Sequence, residues 1–163
     1  MFRLARSIVV VLATGSVLCQ VPRPPDAKPL RPLRERLLER ALRGDTEAQF
    51  DLARNYETGR IGLQKNVLQA EHWYREAANQ GEPFAQASLA ILLGFGKGVP
   101  PDLVQALMWY ELATDRTSGG DRITIAEMRD DLALKMTAQQ IAEARRLAHE
   151  WKSKEPKPKE KTQ

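Results

Sequence analysis

Alanine, leucine and aromatic residues fall at helical intervals along much of this chain. Ala48, Leu52 and Tyr56 stand at i, i+4 and i+8, and Ala70, Trp73 and Ala77 at i, i+3 and i+7. Positions spaced this way share one face of an α-helix and leave the other face to polar residues. Two amphipathic helices are therefore predicted. The first ends at Gly59, where the chain must turn and glycine adopts a left-handed backbone at little cost. The pattern then repeats. Gly44, Ala48, Leu52, Tyr56 and Gly59 return as Gly81, Ala85, Leu89, Leu93 and Gly96, each 37 residues later. Ala70, Trp73, Tyr74 and Ala77 return as Ala106, Trp109, Tyr110 and Ala113, each 36 residues later. The one-residue difference falls in the loop between the two helices of a unit, where length changes are tolerated. Two units result, of about 44–80 and 81–116. Neither can bury its apolar face alone, so stacking is expected: small alanines let helices approach and each Trp fills the space between pairs.

The flanks of this core carry weaker helical signals. Leu37, Leu38, Ala41 and Leu42 predict a short helix over 33–43. Gly120-Asp121 echoes Gly44-Asp45 and Gly81-Glu82, and Ile125, Met128 and Leu132 continue a stripe. Thr137 with Gln140 forms a capping box opening a further helix lined by Ile141, Ala144, Leu147, Ala148 and Trp151. These segments read as caps, with a degenerate C-terminal helical pair over 120–151. Folded structure is thus expected over 33–151. Five prolines within residues 20–32 predict an extended linker, and the Lys/Pro-rich residues 152–163 a disordered tail.

Charge changes the picture once it is divided along the chain. The net +4 and pI near 9.4 suggest nucleic acid. Residues 44–151, however, hold 11 Lys/Arg against 16 Asp/Glu, so the basic residues sit in the flanks. A nucleic-acid reader would concentrate them on the folded face, and no nucleic-acid partner is expected. Residues 1–19 read as an export signal: Arg3 and Arg6 precede an apolar run from Ile8 to about Cys19, short for a membrane span. Cleavage after Gly15 or Cys19, lipid attachment at Cys19, and an uncleaved anchor tethering the chain to the membrane are all compatible with it. A plain N-terminal helix is the bland alternative. Cys19 is the single cysteine, so an internal disulfide and a cysteine metal cluster are both ruled out.

The repeat resembles the Sel1-like repeat, a relative of the tetratricopeptide repeat. Leu89 to Ala113 carries the resemblance best, through Gly96-Lys97-Gly98-Val99, Asp102, Ala106, Trp109-Tyr110 and Ala113. Leu52, Tyr56, Gly59, Asn66, Ala70, Trp73-Tyr74, Ala77-Ala78 and Gly81 carry it in the first unit. It departs at Ala53 and Ala90, where glycine is usual, at a first loop longer by one residue, and at Thr114 and Thr117. The resemblance implies an all-α solenoid of antiparallel helix pairs, two full repeats plus capping helices.

Candidate chemistry is sparse. His72 and His149 lie in separate helices without a metal-binding partner pattern, and Asp130 and Asp131 diverge by about 100° around a helix. Gly94-Phe95-Gly96-Lys97-Gly98 lacks the spacing of a phosphate loop and follows a helix. No catalytic residue, cofactor or metal is expected. The resemblance implies that first helices line a concave surface, which points to Phe50, Arg54 and Glu57, opposite the buried stripe, and to the matching Ala87, Ile91 and Gly94. A peptide or helix of a protein partner would bind there. The expected function is that of an exported, periplasmic adaptor or scaffold for protein–protein interaction; the alternative is a cell-envelope enzyme or an accessory subunit of one.

Overall fold

The computed structural model describes residues 32–154, and among them the secondary structure is entirely helical. The helices are α1 (Leu33–Leu42), α2 (Thr46–Thr58), α3 (Val67–Asn79), α4 (Pro83–Phe95), α5 (Leu103–Arg116), α6 (Gly119–Ala133) and α7 (Ala138–Lys154). The apolar N-terminal run, the proline-rich stretch up to residue 31, and the tail after Lys154 lie outside the described residues. Helix α7 passes the expected boundary at Trp151 by three residues, since Lys152 is tied back to Asp115 of α5.

Side-chain caps open the four helices of the two units. The Asp45 carboxylate accepts from the Ala48 amide at 3.0 Å, and Asn66 accepts from Gln69 at 3.0 Å. In the second unit Glu82 accepts from Phe84 at 3.2 Å and Asp102 from Gln105 at 2.9 Å. Each such cap satisfies an amide that the helix itself leaves open, and contributes about 1 kcal/mol. The α3 and α5 caps also hold their units shut. The Asn66 amide donates to the Tyr56 carbonyl at 2.8 Å, and the Asp102 amide to the Leu93 carbonyl at 3.0 Å.

Packing follows the expected stacking: α1 on α2, then α2 with α3, α3 with α4, and α4 with α5. Ala48, Ala53, Ala70, Ala77, Ala85, Ala90, Ala106 and Ala113 are fully buried at the helix crossings. Leu52, Tyr74, Leu89, Leu107 and Leu112 fill the volume between them. Each such leucine contributes roughly 2 kcal/mol through burial. Trp73 and Trp109 are buried, while Tyr56 stays half-buried at the edge.

Two buried glutamines join one unit to the element before it. Gln49 donates through Nε2 to the Ala41 carbonyl at the end of α1, and Gln86 does the same to Ala78 at the end of α3, each at 3.1 Å. The two are related by the same displacement of 37 as Ala48 and Ala85.

The loops differ where the sequences differ. Gly59 and Gly96 end α2 and α4 in left-handed backbone, with φ of 73° and 59°. The longer first loop places Ile61 at φ 51°, unusual for a β-branched residue. At Gly98, φ is 85° and a Cβ would stand 3.2 Å from that of Val67, so this loop lies directly against the start of α3.

The C-terminal helices correct one expectation. They are present, but they do not pack as a pair: α6 and α7 each pack on α5. Glu111 of α5 explains part of this, receiving Arg129 from α6 at 3.6 Å and Arg145 from α7 at 3.2 Å. Trp151 completes the cap, meeting Trp109 edge-on at 6.2 Å with the Arg116 guanidinium 4.9 Å over its ring. The Thr137–Gln140 capping box forms in both directions, at 3.2 and 2.9 Å. Thr114 and Thr117 return their hydroxyls to the Tyr110 and Ala113 carbonyls near the end of α5.

Candidate functional site

The outward stripe of the first helices is partly consumed by the fold. Phe50 is half-buried, its ring centroid 5.8 Å from that of Tyr74, and the exposed Arg54 lies 5.7 Å over the Phe50 ring. Glu57 accepts a hydrogen bond from the Tyr74 hydroxyl at 2.7 Å. Burial and this carboxylate together raise the Tyr74 pKa well above the phenol range, so the hydroxyl stays a donor. Ile91 is half-buried, and Ala87 is only 8% exposed between neighbours on both sides of α4. Expected as a partner contact, Ala87 is therefore a packing residue with almost no surface to offer. Arg54 and Phe50 offer side chain to solvent; Glu57 is committed to Tyr74.

Displacing the stripe by a further 37 residues reaches Thr124, Met128 and Asp131 of α6, positions the sequence reading did not connect to it. Met128 is 41% exposed rather than a core residue. Between this helix and α4 lies a cavity of about 140 Å³, lined by Gly94, Phe95, Leu103, Tyr110, Met128, Asp131, Leu132 and Lys135. Its walls are mainly apolar. Lys135 of its lining and Lys97 hold their ammonium groups 6.0 and 5.3 Å over the exposed Phe95 ring. Tyr110 lines the cavity, and burial pushes its pKa up to about 12.

Framework residues form the core and the turns. Ala48, Leu52, Ala70, Trp73, Tyr74, Ala77, Ala85, Leu89, Ala106, Trp109, Tyr110 and Ala113 are buried, whereas Gly59, Gly81, Gly96 and Gly98 occupy turns. Among the described residues no three His, Cys, Asp or Glu side chains converge as a metal site would require. His72 is exposed, with its ring 5.0 Å from that of Trp73, and His149 borders a shallow depression with Glu111 and Arg145. No described helix is long and apolar enough to cross a membrane.

The model of the Sel1 repeat matches residues 46–82 and 83–118, two residues later than the units expected from the pattern. A chitin synthase regulator of Saccharomyces cerevisiae, SKT5, is 36% identical over 74 residues, covering 45% of this chain and 11% of the yeast protein. Among solved structures, c5321, a protective antigen present in uropathogenic Escherichia coli strains and displaying an SLR fold, is similar with a TM-score of 0.66. Its identity is 31%, over 74% of this chain and 25% of that one. A Sel1 repeat protein from Oxalobacter formigenes gives a TM-score of 0.50 and 34% identity, over 52% of this chain and 35% of that one. This chain spans about a tenth of the curated relative and a quarter to a third of the two solved chains.

Proposed function

Two Sel1 repeats in an all-α solenoid make this chain a Sel1-like repeat protein, and on that premise we propose that it is an exported scaffold that holds a partner protein along the outward stripe of α2, α4 and α6. Sel1 repeats generally mediate protein–protein interaction. The observation that carries the reading here is the stripe itself. Positions related by 37 residues bring Arg54, Ile91 and Met128 to equivalent places on three helices, with Phe50 one turn before Arg54, and the row ends at an open apolar cavity. Apolar side chains left partly exposed in such a row are a site for a partner's buried anchor residues. No chemical step is assigned to the chain. Export rests on Arg3, Arg6 and the apolar run to Cys19.

A photo-activated cross-linking residue placed at Arg54 or Met128 tests the reading directly, with the exposed Glu76 of α3 as the off-stripe control. Discrete adducts in the cell-envelope fraction from positions 54 and 128, and none from 76, are expected. Adducts from position 76 alone would overturn the stripe. Accumulation of the full chain in the cytosol would overturn export.

A further inference from the structure

The two repeats treat the same tyrosine differently. In the first, the Tyr74 hydroxyl donates to Glu57 at 2.7 Å. Tyr110 is its counterpart in the second, and the position matching Glu57 is Gly94. Among the described residues no carboxylate is hydrogen-bonded to the Tyr110 hydroxyl; Tyr110 lines the cavity instead, as Asp131 and Lys135 do. The fold does not require a glycine at position 94. Its backbone is ordinary helix, and a Cβ there would meet Ala106 and Leu132 at 3.6 Å, an ordinary contact. Glycine inside a helix is less stable than alanine, yet here it keeps the cavity open beside Tyr110.

We propose that this cavity receives a glutamate side chain from the partner protein, which takes at Tyr110 the place that Glu57 takes at Tyr74. The inference rests on the scaffold reading above. A volume of about 140 Å³ exceeds what one or two waters fill and is below that of a drug-sized site, so it suits a single side chain. The methylenes of the guest meet Leu103, Met128 and Leu132. Its carboxylate accepts from the Tyr110 hydroxyl and sits beside Lys135, whose ammonium is held at the rim over Phe95. Within the lining Lys135 offsets Asp131, and Lys97 adds a positive charge over the Phe95 ring. That balance selects an anionic guest over a cationic one.

The test titrates the full chain with capped, amidated five-residue peptides, Ala-Ala-X-Ala-Ala, in which X is Glu, Gln, Leu or Lys. A fifth peptide carries Ala at X and a free C-terminal carboxylate. Binding is followed by NMR shifts of Tyr110, Met128 and Lys135. The Glu peptide is expected to saturate these shifts in the millimolar range, with each other peptide at least fivefold weaker. Tyr110→Phe should weaken the Glu peptide about tenfold, and Lys135→Gln by a smaller factor. In Gly94→Glu the new carboxylate fills the cavity from within, so the peptide should no longer bind while the helical content stays unchanged. Equal binding of Gln or Leu peptides, preference for the C-terminal carboxylate, or unaltered binding to Gly94→Glu would each overturn the proposal. If the Glu peptide fails while cross-links at Arg54 persist, the scaffold reading stands and only this subsite falls.

Discussion

Replacing Gln49 and Gln86 separately by leucine should give unequal results, although the residues hold equivalent places. Both amide nitrogens reach a carbonyl at the end of the preceding helix at 3.1 Å, and both side chains are buried. Both carbonyls also accept a backbone amide: Gly44 donates to Ala41 and Gly81 to Ala78, each at 3.0 Å. Neither acceptor is therefore stranded by the substitution, and the loss there is one hydrogen bond, about 1 kcal/mol. The difference lies at the other end of the amide. Gln49 Oε1 accepts from Gln80 Nε2 at 2.6 Å, whereas Gln86 Oε1 is buried with no hydrogen-bond partner among the described residues. Gln49→Leu thus loses a second bond and should destabilise by ~2 kcal/mol. Gln86→Leu loses one bond but also removes an unpaired acceptor whose burial costs ~1–3 kcal/mol, so it should be neutral or stabilising by ~1 kcal/mol. Leucine is close to glutamine in volume, which keeps the packing contribution small. For a folded body of this size, a difference of ~2 kcal/mol or more corresponds to at least about 8 °C in Tm. Thermal melts followed by circular dichroism, with urea titrations as a second measure, would show it. Equal destabilisation by the two changes would refute the reasoning, because Gln86 Oε1 would then have to be as well paired as Gln49 Oε1.

Further outcomes follow from the same contacts. Gly98→Val should cost ~2 kcal/mol or more in urea unfolding, since φ of 85° strains a β-branched residue and Val67 blocks its Cβ. Tyr74→Phe should destabilise by ~1.5–3 kcal/mol through loss of the bond to the Glu57 carboxylate, and Tyr110→Phe by less than ~0.5 kcal/mol in the absence of partner. Trp151→Ala should release α7 from α5, lowering helicity and exposing the Trp109 indole, with a cost of ~2–3 kcal/mol read from thermal melts. Asp45 titrates below the usual carboxylate range because Arg40 donates to it and the Ala48 amide caps onto it. Its contribution is therefore present above the ordinary carboxylate pKa and is lost as pH falls through the depressed value. Asp45→Asn should keep the cap and flatten that part of an acid titration of helicity.

Periodicity made the core legible, because burying a helix face leaves a direct mark on residue spacing. Ala48, Leu52, Ala70, Trp73 and their counterparts 36 or 37 residues on are buried as that rule requires. The glutamines were missed for a physical reason. A polar residue in a helix is read as solvated, and only its repetition at the same displacement marks Gln49 and Gln86 as internal. Exposure along the outward stripe was harder still. Whether Ala87 reaches solvent depends on how closely two neighbouring helices flank α4, and no single-helix pattern reports that. Nor does spacing announce a cavity. Gly94 acquires meaning only when Glu57 is seen on Tyr74, since the missing side chain matters through the hydroxyl it leaves unpaired.

The same residues explain why the regular stacking changes after α5. A unit is held to its predecessor by a glutamine on its first helix and to itself by the aromatic pair on its second. Advancing Gln86 by 37 reaches Ile123, which is 62% exposed and cannot hold the end of α5. Advancing Trp109 and Tyr110 by 36 reaches Arg145 and Arg146, neither of which can fill the space between helices. Both attachments are thus absent from the third unit. Helix α7 packs on α5 instead, placing Ala144 and Ala148 in the core and Trp151 against Trp109. With no helix pair formed behind it, α6 leaves Ile123 and Met128 exposed, and the cavity at Tyr110 opens between it and α4. Two changes therefore meet at the candidate site: Gly94 leaves the Tyr110 hydroxyl without the carboxylate that Glu57 gives Tyr74, and the degenerate third unit leaves the space beside it open.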